Sequence, residues 1–226
     1  MLLDPATLPQ SDRYKLLIGG IVPRPIAVVS TTSPDGKHNV APFSFFTGVS
    51  SNPLSLLFCP ANNNDGSEKD TLRNCRPRTI HGSEAPGDFV VNILSHAHAK
   101  AMAATAEALP YGESEFALSG LTPAPCTRVR APRIAEAVVS YECRTSQIIT
   151  LGSSTNAPNT THMPAGGNIV IGEILLVHVQ DDAINDRYHI DPAIVDAIGR
   201  LGGLTYCTTR DRFDMPPGKK ALASRE

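Results

Sequence analysis

The pattern of apolar and polar positions divides the chain into short extended runs. Residues 25–32 are rich in β-branched side chains and run into the turn cluster Ser33-Pro34-Asp35-Gly36. A second extended run follows over 37–46, so the pair predicts a β-hairpin. Residues 54–59 form a short apolar run that stops at a proline, and residues 88–94 form another. Two longer runs, 137–150 and 168–179, alternate apolar with polar side chains, as half-buried antiparallel strands do. At least six successive strands without a β-α-β rhythm predict a mostly β chain, closed into a barrel with a few helical insertions.

Fewer stretches read as helix. Residues 95–109 are Ala-rich, with Ser95 placed to cap them. Residues 68–75 predict a short helix opening at Lys69-Asp70-Thr71. Asp191-Pro192 suits a helix start, with a stop near Gly199. Polar stretches at 61–67 and 152–167 predict loops. Residues 1–12 are expected to form an N-terminal arm, 13–210 one domain, and 211–226 a C-terminal tail.

Composition narrows the function classes. The net charge of −2 over 226 residues gives no electrostatic footprint for nucleic acid or an anionic membrane. Trp is absent and aromatics are 5%, which argues against stacking platforms for single strands. No apolar run approaches the ~20 residues that span a bilayer. Met1-Leu2-Leu3-Asp4-Pro5 is not expected to act as a secretory signal. The five cysteines are odd in number, and none lies in a Cys-x-x-Cys pair. Buried, reduced thiols in a cytoplasmic protein are therefore expected. There is no Gly-x-Gly, no P-loop and no Gly-x-Ser-x-Gly elbow. His96-x-His98 is a poor metal pair, because positions i and i+2 of a helix do not face the same way. A third ligand such as His81 or His162 would have to come from a loop, and no metal is expected.

The chemistry-bearing stretches come in a fixed order. Pro23-Arg24-Pro25-Ile26-Ala27-Val28-Val29-Ser30-Thr31 is followed by Asp35-Gly36-Lys37-His38-Asn39, then by Ala41-Pro42-Phe43-Ser44-Phe45-Phe46. Val49-Ser50-Ser51-Asn52-Pro53 and Lys69-Asp70-Thr71-Leu72-Arg73-Asn74 come next. Asp88-Phe89-Val90-Val91-Asn92 follows, and Gly199-Arg200-Leu201-Gly202-Gly203 with Tyr206 ends the series. This set resembles the flavin reductase-like family over about residues 13–210. The resemblance implies an FMN-binding split barrel, with FAD as the rarer flavin. It also implies a nicotinamide cofactor, NADH or NADPH, as electron donor, a homodimer, and a monooxygenase or other electron acceptor as partner. The function implied is an NAD(P)H-dependent flavin reductase; the alternative is a non-enzymatic electron carrier or sensor.

The resemblance also assigns residues. Lys69 and Thr71 at a surface helix start, with Ser50 and Ser51 on a loop, supply donors for a phosphate. Residues 41–46, with Ala41, Pro42, Phe43 and Ser44, supply an apolar wall and backbone groups for the flavin ring. Pro42 removes a ladder donor and frees a strand edge. Ser30 and Thr31 end the first hairpin strand close to the ring, and Asn39 lies on the partner strand. Arg200 and Tyr206 are expected to cross a dimer interface, and Arg24 to pair with a carboxylate. His162 with Met163 lies in a loop suited to substrate contact, while Glu113-Ser114-Glu115-Phe116 reads as structural. Hydride transfer needs no side-chain acid or base, so no catalytic residue is named. The chain departs from the family pattern at Leu54, where a second proline is usual, and in polar insertions at 62–65 and 77–87.

Overall fold

The computed structural model describes residues 1–63, 65–80, 83–110, 112–151 and 167–222. Seven strands carry the fold: β1 (Ala27–Thr32), β2 (His38–Phe43), β3 (Phe46–Ser51), β4 (Leu54–Phe58), β5 (Asp88–Ile93), β6 (Val139–Leu151) and β7 (Gly167–Val179). They form one antiparallel sheet in the order β2-β1-β5-β6-β7-β4-β3. Laid flat, its outermost strands would stand roughly 29 Å apart, at about 4.8 Å per spacing. Yet β2 and β3 are joined by Ser44 and Phe45 alone, a link that reaches at most about 11 Å. The sheet must therefore curl until its edges meet, which makes a barrel split between β2 and β3. The mostly β split barrel predicted from the sequence is what the chain forms.

The helices are short: α1 (Gln10–Gly20), α2 (Asp70–Cys75), α3 (Ala99–Ala104), α4 (Glu115–Ser119) and α5 (Pro192–Val195). The barrel interior is filled by Ala27, Val29, Phe43, Leu56, Phe58, Phe89, Val91, Cys143 and Val170, into which α2 inserts Leu72 and Cys75. Phe58 stacks against both Phe43 and Phe89, with centroids 5.1 and 5.2 Å away. A second apolar layer covers the outer face of β1 and β2, where Val28 and Val40 meet Met102 of α3 and Phe116 of α4. Covered on both faces, β1 is buried at all six positions, its polar Ser30, Thr31 and Thr32 included.

Several boundaries differ from the sequence reading. The run 37–46 ends at Phe43, and a strand absent from that reading, β3, begins at Phe46. Ser50 and Ser51 read as loop residues, but pairing with β4 overrides local propensity. The expected helix 95–109 is a 3-10 turn (His96–His98) followed by α3, and Ser95 makes no side-chain cap. It stops because the Thr105 hydroxyl donates back to the Met102 carbonyl at 2.7 Å, and 105–109 turns away. The helix at 192 ends earlier than expected, where Asp196 takes a left-handed φ of 40°. α1 begins inside the expected N-terminal arm, at Gln10.

Candidate functional site

The hairpin β1–β2 and helix α2 are tied by two side-chain bonds. Asn39 Nδ2 donates to Thr71 Oγ1 at 2.9 Å, and Asn74 Nδ2 donates to Thr31 Oγ1 at 3.0 Å. All four residues are buried. Thr71 is 1% exposed, which corrects the expectation of a surface residue. α2 drives Leu72 into the barrel and carries its neighbour down with it. The Thr71 oxygen accepts from Asn39, so its own proton is still available to donate. Lys69, one residue before α2, stays exposed.

β2 is an edge strand, so the groups on its far side have no strand partner. The Val40 N–H points there and donates to Glu115 Oε2 at 3.0 Å. Pro42, two residues on, faces the same way and has no N–H to satisfy. Between this edge, the start of α2 and the segment after α3 lies a cleft of about 260 Å³. Six predicted site residues line it: Asn39, Ala41, Pro42, Phe43, Lys69 and Thr71. Its carboxylates are largely engaged. Asp65 accepts from the Ser67 N–H and hydroxyl, Asp70 lies 3.8 Å from Arg73, and Glu115 accepts from Val40. Burial pushes the Glu115 carboxyl up, only partly offset by the Val40 N–H. Among the described residues, Lys69 is the one cation lining the cleft.

The other predicted residues lie elsewhere. Ser30 is buried behind the hairpin, donating to the Pro132 carbonyl and accepting from Asn92 Nδ2 at 3.1 Å. Ser50 and Ser51 are in a strand, not a loop, and line a second cleft of about 410 Å³ with Phe46, Leu54 and Tyr141. Ser44 accepts from Arg24 Nε at 3.2 Å. Arg24 meets no carboxylate among the described residues. Its guanidinium donates to the carbonyls of Ile18, Ile21 and Leu201 and stands 5.8 Å above Phe45. Arg200 pairs by backbone with Arg24, and its guanidinium stacks on Tyr206 at 4.4 Å. His81, His162 and Met163 fall outside the described residues. Glu115 and the 105–109 segment are site walls that the sequence reading left out. The available signal was a carboxylate directly before the apolar Phe116.

Comparison with known proteins gives concordant findings. The family model described as "Flavin reductase like domain" matches residues 19–209. A protein of Deinococcus radiodurans is 37% identical over 219 residues, covering 94% of this chain and 87% of the relative. Nitrilotriacetate monooxygenase component B from Bacillus cereus superposes with a TM-score of 0.83 at 29% identity, over 95% of this chain and 98% of that one. The 2-nitrobenzoate 2-nitroreductase NbaA of Pseudomonas fluorescens gives 0.78 at 26% identity, over 97% of both chains.

Proposed function

The chain belongs to the flavin reductase-like family, and on that premise we propose that it is an FMN-dependent oxidoreductase that takes electrons from NADH or NADPH. The observation that carries this reading is the cleft itself. It sets an apolar wall, Ala41, Pro42 and Phe43, along an open strand edge and a cation, Lys69, at the start of α2. A flavin mononucleotide has matching parts: a flat ring with a hydrogen-bonding edge, a polar chain and a dianionic phosphate. At about 260 Å³ the cleft is slightly smaller than sites that enclose a whole ligand, so part of the flavin would extend beyond it. Lys69 and the Thr71 hydroxyl would hold the phosphate, and residues 41–43 the ring edge. FAD is the alternative flavin. Bound there, the flavin supplies the redox chemistry, while the protein's groups bind it, orient it and exclude water. The similarity to a monooxygenase component and to a nitroreductase supports transfer onward to a partner enzyme or a small acceptor.

A homodimer belongs to this reading. Leu17, Ile21, Val22, Val49 and Leu54 are each about half exposed or more, a large apolar surface for a monomer. A second copy would cover such a surface, and the cleft with Ser50 and Ser51 lies on it. Among the described residues no helix is long and apolar enough to cross a membrane, in keeping with a cytoplasmic enzyme. The test is anaerobic: protein reconstituted with FMN is mixed with NADH or NADPH and its visible absorbance followed. Bleaching with either donor is expected. Bound FMN that neither donor bleaches would leave the electron-carrier or sensor reading in its place.

A further inference from the structure

Away from the cleft, on the outer face of the sheet, three metal-ligating side chains converge. Cys126 lies in the segment between two minor strands, Pro123–Ala124 and Arg133–Ile134. Glu142 is on β6 and His178 on β7. The register pairs Ser140 with His178 and Glu142 with Leu176, so Glu142 and His178 are diagonal neighbours on one face. The thiol sulfur, the carboxylate oxygen and the imidazole nitrogen all lie within 4.8 Å of one another. None of the three lines the flavin cleft.

Glu142 is fully buried, and its carboxylate is fixed before any ligand arrives. The Thr127 N–H donates to Oε1 at 2.9 Å, and the Arg128 N–H donates to Oε2. His178 Nε2 meets Oε1 at 2.5 Å. The Arg133 backbone N–H is directed at the Cys126 thiol. Ligating groups held by outer hydrogen bonds of this kind are a recurring feature of metal sites. A buried carboxylate calls for an opposite charge, which a divalent cation supplies. A thiol binds metal as the thiolate, so the Cys126 proton is displaced when the ion arrives.

We propose that Cys126, Glu142 and His178 form a binding site for a divalent cation of the zinc class. One sulfur, one nitrogen and one oxygen donor suit zinc and do not suit magnesium or calcium. Two negative ligands, thiolate and carboxylate, balance the double charge. Tetrahedral ligands with bonds of about 2.0–2.3 Å stand roughly 3.4 Å apart, so the Glu142–His178 contact must open by about 1 Å. His178 can move, because its side chain is 31% exposed and borders a cleft of about 390 Å³ that also gives the ion a path and a water as fourth ligand. The Cys126 proton leaves to solvent on binding.

The full-length chain, stripped with chelator and reconstituted with FMN, is dialysed to equilibrium against micromolar zinc. Metal and flavin per chain are then measured together. About one zinc per chain is expected, with X-ray absorption showing one sulfur among nitrogen and oxygen neighbours. Cys126→Ser and His178→Ala should each weaken zinc by at least the ~10–100-fold that loss of an outer-shell partner costs. FMN content and circular dichroism should not change. Should Cys126→Ser fail to fold, the partly exposed His178→Ala decides the matter. No stoichiometric zinc in the wild type, or equal zinc in both variants, would overturn the proposal. The three side chains would then be a hydrogen-bonded cluster that pins residues 126–128 to the barrel.

Discussion

Arg24 brings a positive charge into the protein interior, 4% exposed, and satisfies it with dipoles. Its donors reach the end of α1, the segment after Arg200 and the β2–β3 link, so one side chain joins three elements around the split. Arg24→Met would leave those acceptors buried and unpaired. We expect a loss of about 2–4 kcal/mol in urea unfolding, and a smaller loss for Arg24→Lys, which keeps the charge but not the fork. Lys69 and Thr71 should separate in the same way. Lys69→Ala should fold normally and lose about 1.5–3 kcal/mol of FMN affinity, the worth of a hydrogen bond to a charged group. Its riboflavin affinity should equal that of the wild type. Thr71→Val should lose FMN affinity too and in addition cost about 1–3 kcal/mol of stability, because it strands the buried Asn39 amide. Unchanged FMN binding by Lys69→Ala, measured by fluorescence titration, would place the phosphate elsewhere.

At the scale of elements, α2 also passes close to the backbone at Gly87. A Cβ on Gly87 would stand 2.0 Å from the Cys75 carbonyl oxygen, which is backbone and cannot swing aside. Gly87→Ala should therefore push α2 off the barrel, at a cost of about 3 kcal/mol or more, and lower flavin content with it. Helix α4 holds the edge of β2 through Glu115, whose carboxyl folding raises above the usual range. The folded state then binds more protons than the unfolded one just above that range, so stability falls as pH rises through it. Glu115→Gln keeps an acceptor for Val40 and removes the charge. We expect the variant to be as stable as the wild type or more so near neutrality, with the gap closing as pH falls towards the usual carboxylate range. Denaturant midpoints across that range would show it; a gap that widens on acidification would be the contrary result.

At the scale of the whole molecule, the exposed apolar residues of α1, β3 and β4 call for a partner. A stable pair would bury about 1,200–2,000 Å². Sedimentation should give a dimer at micromolar concentration. Val49→Glu with Leu54→Glu should give a folded monomer, since both side chains are solvent-facing in the single chain. A wild-type monomer at that concentration would refute the dimer.

The sequence by itself determined whatever depends on local order. Its β-branched run and Ser33-Pro34-Asp35-Gly36, where Gly36 takes a φ of 86°, set the first hairpin. Pro42 marked an open edge, and the spacing of Lys69-Asp70-Thr71 marked the start of α2. Alternation marked β6 and β7 as strands, although the polar positions Ser140 and Glu142 of β6 are buried as well. Only tertiary structure decided the rest. β3 is a strand because β4 lies beside it, although its own residues read as a turn. Thr71 is buried because Leu72 is drawn into the barrel. Ser50 and Ser51 part from Lys69 because the sheet curls with those segments bordering different clefts. Cys126, Glu142 and His178 carry no motif, since they lie far apart along the chain and meet only through strand register and a folded-over segment. Local propensity acts over a few residues, whereas these placements follow from the closure of the sheet, which no short window of sequence contains.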